Sequence, residues 1–143
     1  MRTAFANIVS AVIAALQANP PVCDLIDRAR ATTVPDQAPR AVSVQWDGAQ
    51  PQGATIAGAP LDWETRITIE CLARSVKDPG DLAVDDLLTA VVARLGQDST
   101  LGGLVADLRI AGLEAENTVE TKKTGWVRIT YIAEHRTNNG ILE

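Results

Sequence analysis

Few side chains in this sequence could do chemistry, and their spacing narrows what they could do. His135 is the single histidine. It stands between Glu134 and Arg136, and one imidazole does not build a histidine-rich metal site. Cys23 and Cys71 lie far apart without C-x-x-C spacing, so they read as buried free thiols of a reducing compartment. Asp85-Asp86 is the one close carboxylate pair, and its place near a helix start assigns it to the helix dipole. Leu101-Gly102-Gly103 does not open a phosphate-binding helix, and no P-loop, G-x-S-x-G or Ser-His-Asp order occurs. The expectation is a protein that binds, with no catalytic residue, cofactor or metal. A two-carboxylate or divalent-metal hydrolase stays open only through carboxylates that the fold brings together from a distance.

The tryptophans and one stretch of backbone carry more information. Trp46 and Trp63 flank residues 48–60, which hold three Gly, two Pro and no charge. A connection of that length without structure of its own is usually functional or disordered, and the expectation is a flexible loop. Core packing is one reading of the two indoles; an anchor for a partner is the other. Beyond the loop, residues 62–74 alternate: Trp63, Thr65, Ile67, Ile69, Cys71 and Ala73 on one face, Glu64, Arg66, Thr68, Glu70 and Arg74 on the other, with Leu72 out of place. Such alternation marks a half-buried antiparallel strand with a row of opposed charges on its wet face. The candidate subunit or partner interface is therefore Trp46, Asp47, Gln50, Gln52, Thr55, Ile56, Trp63, Glu64, Arg66, Glu70 and Arg74.

These residues need a scaffold, and 143 residues suit one domain with a sizeable core. Apolar residues make up 46% and charged residues 22%, which excludes disorder as the default. Aromatics are scarce, so Ala, Val, Leu and Ile must fill the core. Thirteen Lys and Arg against 18 Asp and Glu leave a formal charge of −5, with no basic block to grip a phosphate backbone. No apolar run is long enough for a membrane span. Arg2 and the Ala-rich stretch after it could suggest a leader. Phe5, Ile8, Val9, Val12, Ile13 and Leu16 follow the spacing of an amphipathic helix instead, and a docking helix over 3–18 is the reading.

Strand-like segments follow at 22–29 and 40–47, separated by a Pro-containing loop at 32–39. After the strand at 62–74, Asp78 reads as N-cap with Pro79 at the first helical position. Val84, Leu87, Leu88, Val91 and Leu95 then form a buried stripe that ends at Gly96. A tight turn at 99–104 leads to strands at 104–116 and 122–137, and residues 138–143 are expected to fray. The order α-β-β-β-α-β-β argues an α+β fold: an antiparallel or mixed sheet of about five strands with two helices on one face.

The run Trp63-Glu64-Thr65-Arg66-Ile67-Thr68-Ile69-Glu70-Cys71-Leu72-Ala73, the helix 85–95, Leu101-Gly102-Gly103-Leu104-Val105-Ala106-Asp107-Leu108, Leu113-Glu114 and the strand ending Thr130-Tyr131-Ile132-Ala133-Glu134-His135-Arg136-Thr137 form a recognisable set. With the N-terminal helix, this set resembles the tail-terminator (tail-completion) proteins of long-tailed phages and prophages over roughly residues 5–137. The resemblance rests on packing and turn patterns. It implies a non-enzymatic virion protein that forms a hexameric ring on the head-proximal end of the tail tube. Such a ring stops tube polymerisation and presents a face to the head connector or head-closure protein, with DNA passing through its lumen without specific binding and no membrane involved. In that family the loop between the second and third strands is mobile, and residues 48–60 occupy its place. Rival readings are another neck or minor tail protein, a small metal-dependent hydrolase, and a bacterial homo-oligomeric scaffold.

Overall fold

The apolar stripe at the N-terminus folds into α1 (Ala4–Gln17), which buries Phe5, Ile8, Val9, Val12 and Leu16. Thr3 caps it, its hydroxyl oxygen accepting from the Ala6 N–H at 3.2 Å. This description rests on a computed structural model that covers residues 2–29, 38–52, 59–119, 122–138 and 140–143. The segment expected to fray contributes here: the Leu142 carbonyl accepts from the Ala4 N–H at 2.8 Å, satisfying a helix donor that would otherwise be orphaned.

The other end of α1 is held from a distance. Arg94 donates to the carbonyls of Ala15 and Ala18, both at 2.8 Å, and to that of Pro20. A cation on unsatisfied C-terminal carbonyls also answers the negative end of the helix dipole. Replacing Arg94 by Ala is expected to cost about 1–3 kcal/mol in urea denaturation, from lost charge-assisted hydrogen bonds. Lys at the same position should recover only part, because one ammonium lacks the planar fork that spans several acceptors.

Five strands form one mixed sheet. They are β1 (Leu25–Arg28), β2 (Arg40–Gln52), β3 (Leu61–Ser75), β4 (Asp107–Val119) and β5 (Lys123–Thr137), in the spatial order β1-β2-β3-β5-β4. β1 runs parallel to β2 and every other pair is antiparallel. Between β3 and β4 the chain crosses over β5 through α2 (Gly80–Gly96). The alternation read from β3 holds for most of its length: Thr65, Ile67, Ile69, Cys71 and Ala73 are buried, and the paired Val127, Ile129, Tyr131 and Ala133 of β5 join them. Thr68, expected on the wet face, is buried too, its hydroxyl donating to Asp47. Both helices pack on that face, α1 over β1 and β2 and α2 over β3 and β5. Fully buried Ile and Leu side chains such as Ile69, Ile129 and Leu87 each contribute roughly 1.5–3 kcal/mol by leaving water. The α+β architecture expected from the element order is thus present, with five strands and two helices.

Several boundaries differ from expectation: β1 begins at Leu25 and not at 22, and three other differences have a visible cause. Residues 48–52 are strand and not loop: after a bulge between Trp46 and Ala49, Ala49 to Gln52 pair with Thr65 to Asp62. Gly, Gln and Pro have little intrinsic strand preference, and cross-strand pairing to β3 overrides it; residues 53–58 lie outside the described set. α2 starts one residue later than expected, with Pro79 and not Asp78 at the cap position and no side-chain cap. The Ser75 hydroxyl organises the entry instead, accepting from the N–H groups of Lys77 and Asp78 at 3.1 and 3.0 Å. β4 is displaced toward the C-terminus because the turn that begins at Asp98 runs past residue 104, the Val105 N–H donating back to the Thr100 carbonyl at 3.0 Å. There the Asp98 carboxylate accepts from the Thr100 hydroxyl at 2.7 Å and from the Gly102 N–H at 2.7 Å. Those bonds hold its pKa below the usual carboxylate value. Gly102 and Gly103 carry φ of +73° and +88°, a region where side chains are strained.

Candidate interaction surfaces

Three surfaces emerge from this scaffold. The first is an aromatic cluster where the β2–β3 hairpin meets the start of α1. Phe5 stacks on Trp46 with centroids 5.0 Å apart, and meets Trp63 and His135 edge-on at 5.2 and 5.5 Å. The Trp63 indole N–H donates to the Thr137 hydroxyl oxygen at 2.9 Å, while Trp46 remains 50% exposed. Trp63 is thus bonded into the cluster, as core packing would have it, while Trp46 stacks one face on Phe5 and keeps half of its surface exposed. Beside them an open cleft of about 780 Å³ runs along Trp63, His135 and Leu104, rimmed by Asp62, Glu134 and Arg136.

His135 is the least comfortable member. It is 6% exposed, its Nε2 lies 2.6 Å from the Thr65 hydroxyl, and its Nδ1 is buried without a partner. Burial lowers its pKa below the ordinary histidine value, because the charged ring would lose its hydration.

The second surface is the face of the sheet that no helix covers. Glu64, Arg66, Glu70 and Arg74 do line up along it, as expected, but their partners come from other elements. Arg109 of β4 reaches Glu134 at 2.7 Å and Glu64 at 3.6 Å. Arg128 of β5 holds Glu70 at 2.9 Å and lies over the Trp126 ring at 5.1 Å. Asp62 and Arg136 pair through two bonds of 2.7 and 3.2 Å, which lowers the pKa of Asp62 and raises that of Arg136. Arg74 donates to the Ala38 carbonyl at 3.2 Å, and Asp47 accepts from the Thr68 hydroxyl at 3.4 Å. Arg66 is exposed and forms no ion pair among the described residues. Gln50 and Gln52 are exposed on β2; Thr55 and Ile56 fall outside the described residues. Exposed pairs of this kind contribute about 0–1 kcal/mol each, so the ladder orients the face more than it stabilises the fold.

The third surface was not anticipated. β4 is an edge strand, paired only with β5 among the described residues, and every residue from 109 to 119 is exposed. Ile110, Leu113 and Val119 are 44%, 55% and 76% exposed on it. Natural edge strands are commonly short, or guarded by Lys, Pro or bulges. This one spans 13 residues and carries neither Lys nor Pro, with one bulge between Ile110 and Gly112. Locally, residues 104–116 read as an ordinary strand, because exposure on both faces depends on how far α2 reaches across the sheet.

The residues singled out for chemistry fall in separate places. Asp85 and Asp86 point to solvent in the second turn of α2. Cys23 and Cys71 are buried and free, and burial pushes the Cys71 thiol up to about 12. Among the described residues no group of three His, Cys, Asp or Glu is placed to hold a metal ion, and no helix is long and apolar enough to cross a membrane. No family model matches the sequence, and no characterised protein matches it as a relative.

Proposed function

We propose that the protein is a tail-terminator subunit of a long-tailed phage or prophage: a structural protein that assembles as a hexameric ring on the head-proximal end of the tail tube. The observation that carries this reading is the long edge strand β4, exposed from residue 109 to 119, on a sheet whose second face is also open. A repeating tube extends by heterologous contacts; its terminator must match the tube on one surface and withhold the repeat on another. A subunit with separate faces, edge and aromatic end has the surfaces this requires. The tube protein would meet one end of the ring and the connector or head-closure protein the other, in the virion.

Six chains at −5 each bring −30 formal charges to such a ring. Acidic side chains facing the lumen would repel passing DNA and so keep the channel clear. The test is direct. Added to polymerising tube subunits, the protein should shorten and cap the tubes, with rings visible at one end by negative-stain electron microscopy. Tubes of unchanged length and uncapped ends would sink the reading in favour of another neck component.

A further inference from the structure

The two free edges of the sheet are unequal in a way that lets one fit the other. On the far side from β4, β1 pairs only with Ala41 to Val44, and the Ala29 N–H closes that ladder on the Val44 carbonyl. From residue 45 onward the outer edge of β2 has no strand beside it among the described residues. Pro51, without an N–H, limits pairing there to residues 45–50. Strand directions alternate from β2 through β3 and β5 to β4, so β4 runs antiparallel to β2. A copy rotated about an axis along the strands would place its β2 beside β4 in antiparallel sense.

Both faces of such a junction match. Ala115 and Val119 pair with Val127 and Lys123, which places them on the helix-covered face, with Val119 76% exposed; Trp46, paired with Ile67, is half-exposed on that same face of β2. Glu114 and Glu116, paired with Arg128 and Trp126, lie on the open face, exposed and without an ion pair among the described residues. Arg128 is already held by Glu70. On the open face next to the free β2 edge, Arg66 forms no ion pair among the described residues; it lies opposite the bulge of Asp47 and Gly48, where Thr68 holds the Asp47 carboxylate and Gly48 carries no side chain.

We infer that copies of this chain join edge to edge, β4 of one copy pairing with residues 45–50 of β2 in the next. With Glu114 opposite Gln50, Ala115 and Val119 then cover Trp46 on one face, while Glu116 meets Arg66 across the bulge on the other. The junction is heterologous, so each copy uses both edges and the sheet continues from subunit to subunit. The reading of the protein as a ring enters only through closure; the junction itself stands on the two edges.

The test uses the full chain with Gln50→Cys and Glu114→Cys, joined by a short bis-maleimide, the native cysteines being buried. The double variant should give a ladder extending past the dimer. A mixture of the two single variants should stop at the dimer, and each single variant alone should remain monomeric. Glu114→Arg with Glu116→Arg should raise the protein concentration needed for the ladder about tenfold, with unchanged circular dichroism. Adding Arg66→Glu to that chain should restore it. No ladder from the double variant, self-linking of Glu114→Cys alone, or charge reversal without effect overturns the junction. Capped tubes built from charge-reversed chains would overturn it and leave the terminator reading standing; ladders without any effect on tube length would do the opposite.

Discussion

Gly125→Ala should lose about 3 kcal/mol or more of folding stability, read as a shift of the denaturation midpoint. A Cβ on Gly125 would lie 1.8 Å from the Gly80 carbonyl oxygen, and one on Gly80 would lie 2.5 Å from the Thr124 carbonyl oxygen. Both obstacles are backbone, so no rotamer change relieves them. The first turn of α2 would have to lift from the start of β5, and Val84, whose Cγ1 sits 3.0 Å from the same added atom, would lift with it. Overpacking in a dense core typically costs about 1–3 kcal/mol, and a clash between two backbones belongs at or above the upper end. Gly96→Ala is the control. Nothing lies within 4 Å of its added Cβ, and its φ is not in the left-handed range, so it should hold or gain about 0.4–1 kcal/mol. A Gly125→Ala protein as stable as the parent would mean that α2 does not sit on β5 as described.

That contact also marks where the sequence stops being legible. Periodicity located both helices and all five strands, because α1, α2, β3 and β5 each bury one clean stripe. Gly80 and Gly125 carried no signal: each sits beside a strand or helix boundary and reads as ordinary punctuation, and only their mutual approach gives them a role. The candidate surface behaved in the same way. Glu64, Arg66, Glu70 and Arg74 were legible as one wet row from spacing alone. Their partners Arg109 and Arg128 were not, since pairing across β3, β5 and β4 depends on strand order, and sequential order would have set β4 beside β3. Residues 48–52 were misread as loop because a strand rich in Gly, Gln and Pro is made by its neighbour and not by its own preferences. The exposure of β4 was hidden for a related reason: alternation reports which residues could be covered, and the reach of α2 decides which ones are.

His135→Ala should destabilise the protein by about 2–4 kcal/mol and also flatten the acid side of its pH–stability profile. The truncation leaves a cavity between Phe5 and Trp63, and it strands the hydroxyl of Thr65, which is fully buried and 2.6 Å from the imidazole. The pH effect has a fixed sign. Burial lowers the folded-state pKa of His135 below 6.5, so the unfolded chain takes up a proton first as the solution is acidified. The contribution of the neutral ring is complete above pH 6.5 and declines as pH falls from there toward the lowered folded-state value. Protonation would also turn both ring nitrogens into donors, force the Thr65 hydroxyl to accept, and leave the buried Nδ1 as part of a charge with no partner. Glu134, Arg136 and Asp62 surround the adjoining cleft, but Asp62 and Arg136 neutralise one another, and Glu134 is engaged by Arg109. Thr65→Val combined with His135→Phe separates the two effects. It removes both halves of the polar pair while keeping volume near Phe5, so it should cost less than His135→Ala alone and still abolish the decline below pH 6.5. Denaturation midpoints of the parent and both variants from pH 8 to pH 5 would settle it; a decline that persists in the double variant would assign the acid sensitivity to the carboxylates of the open face.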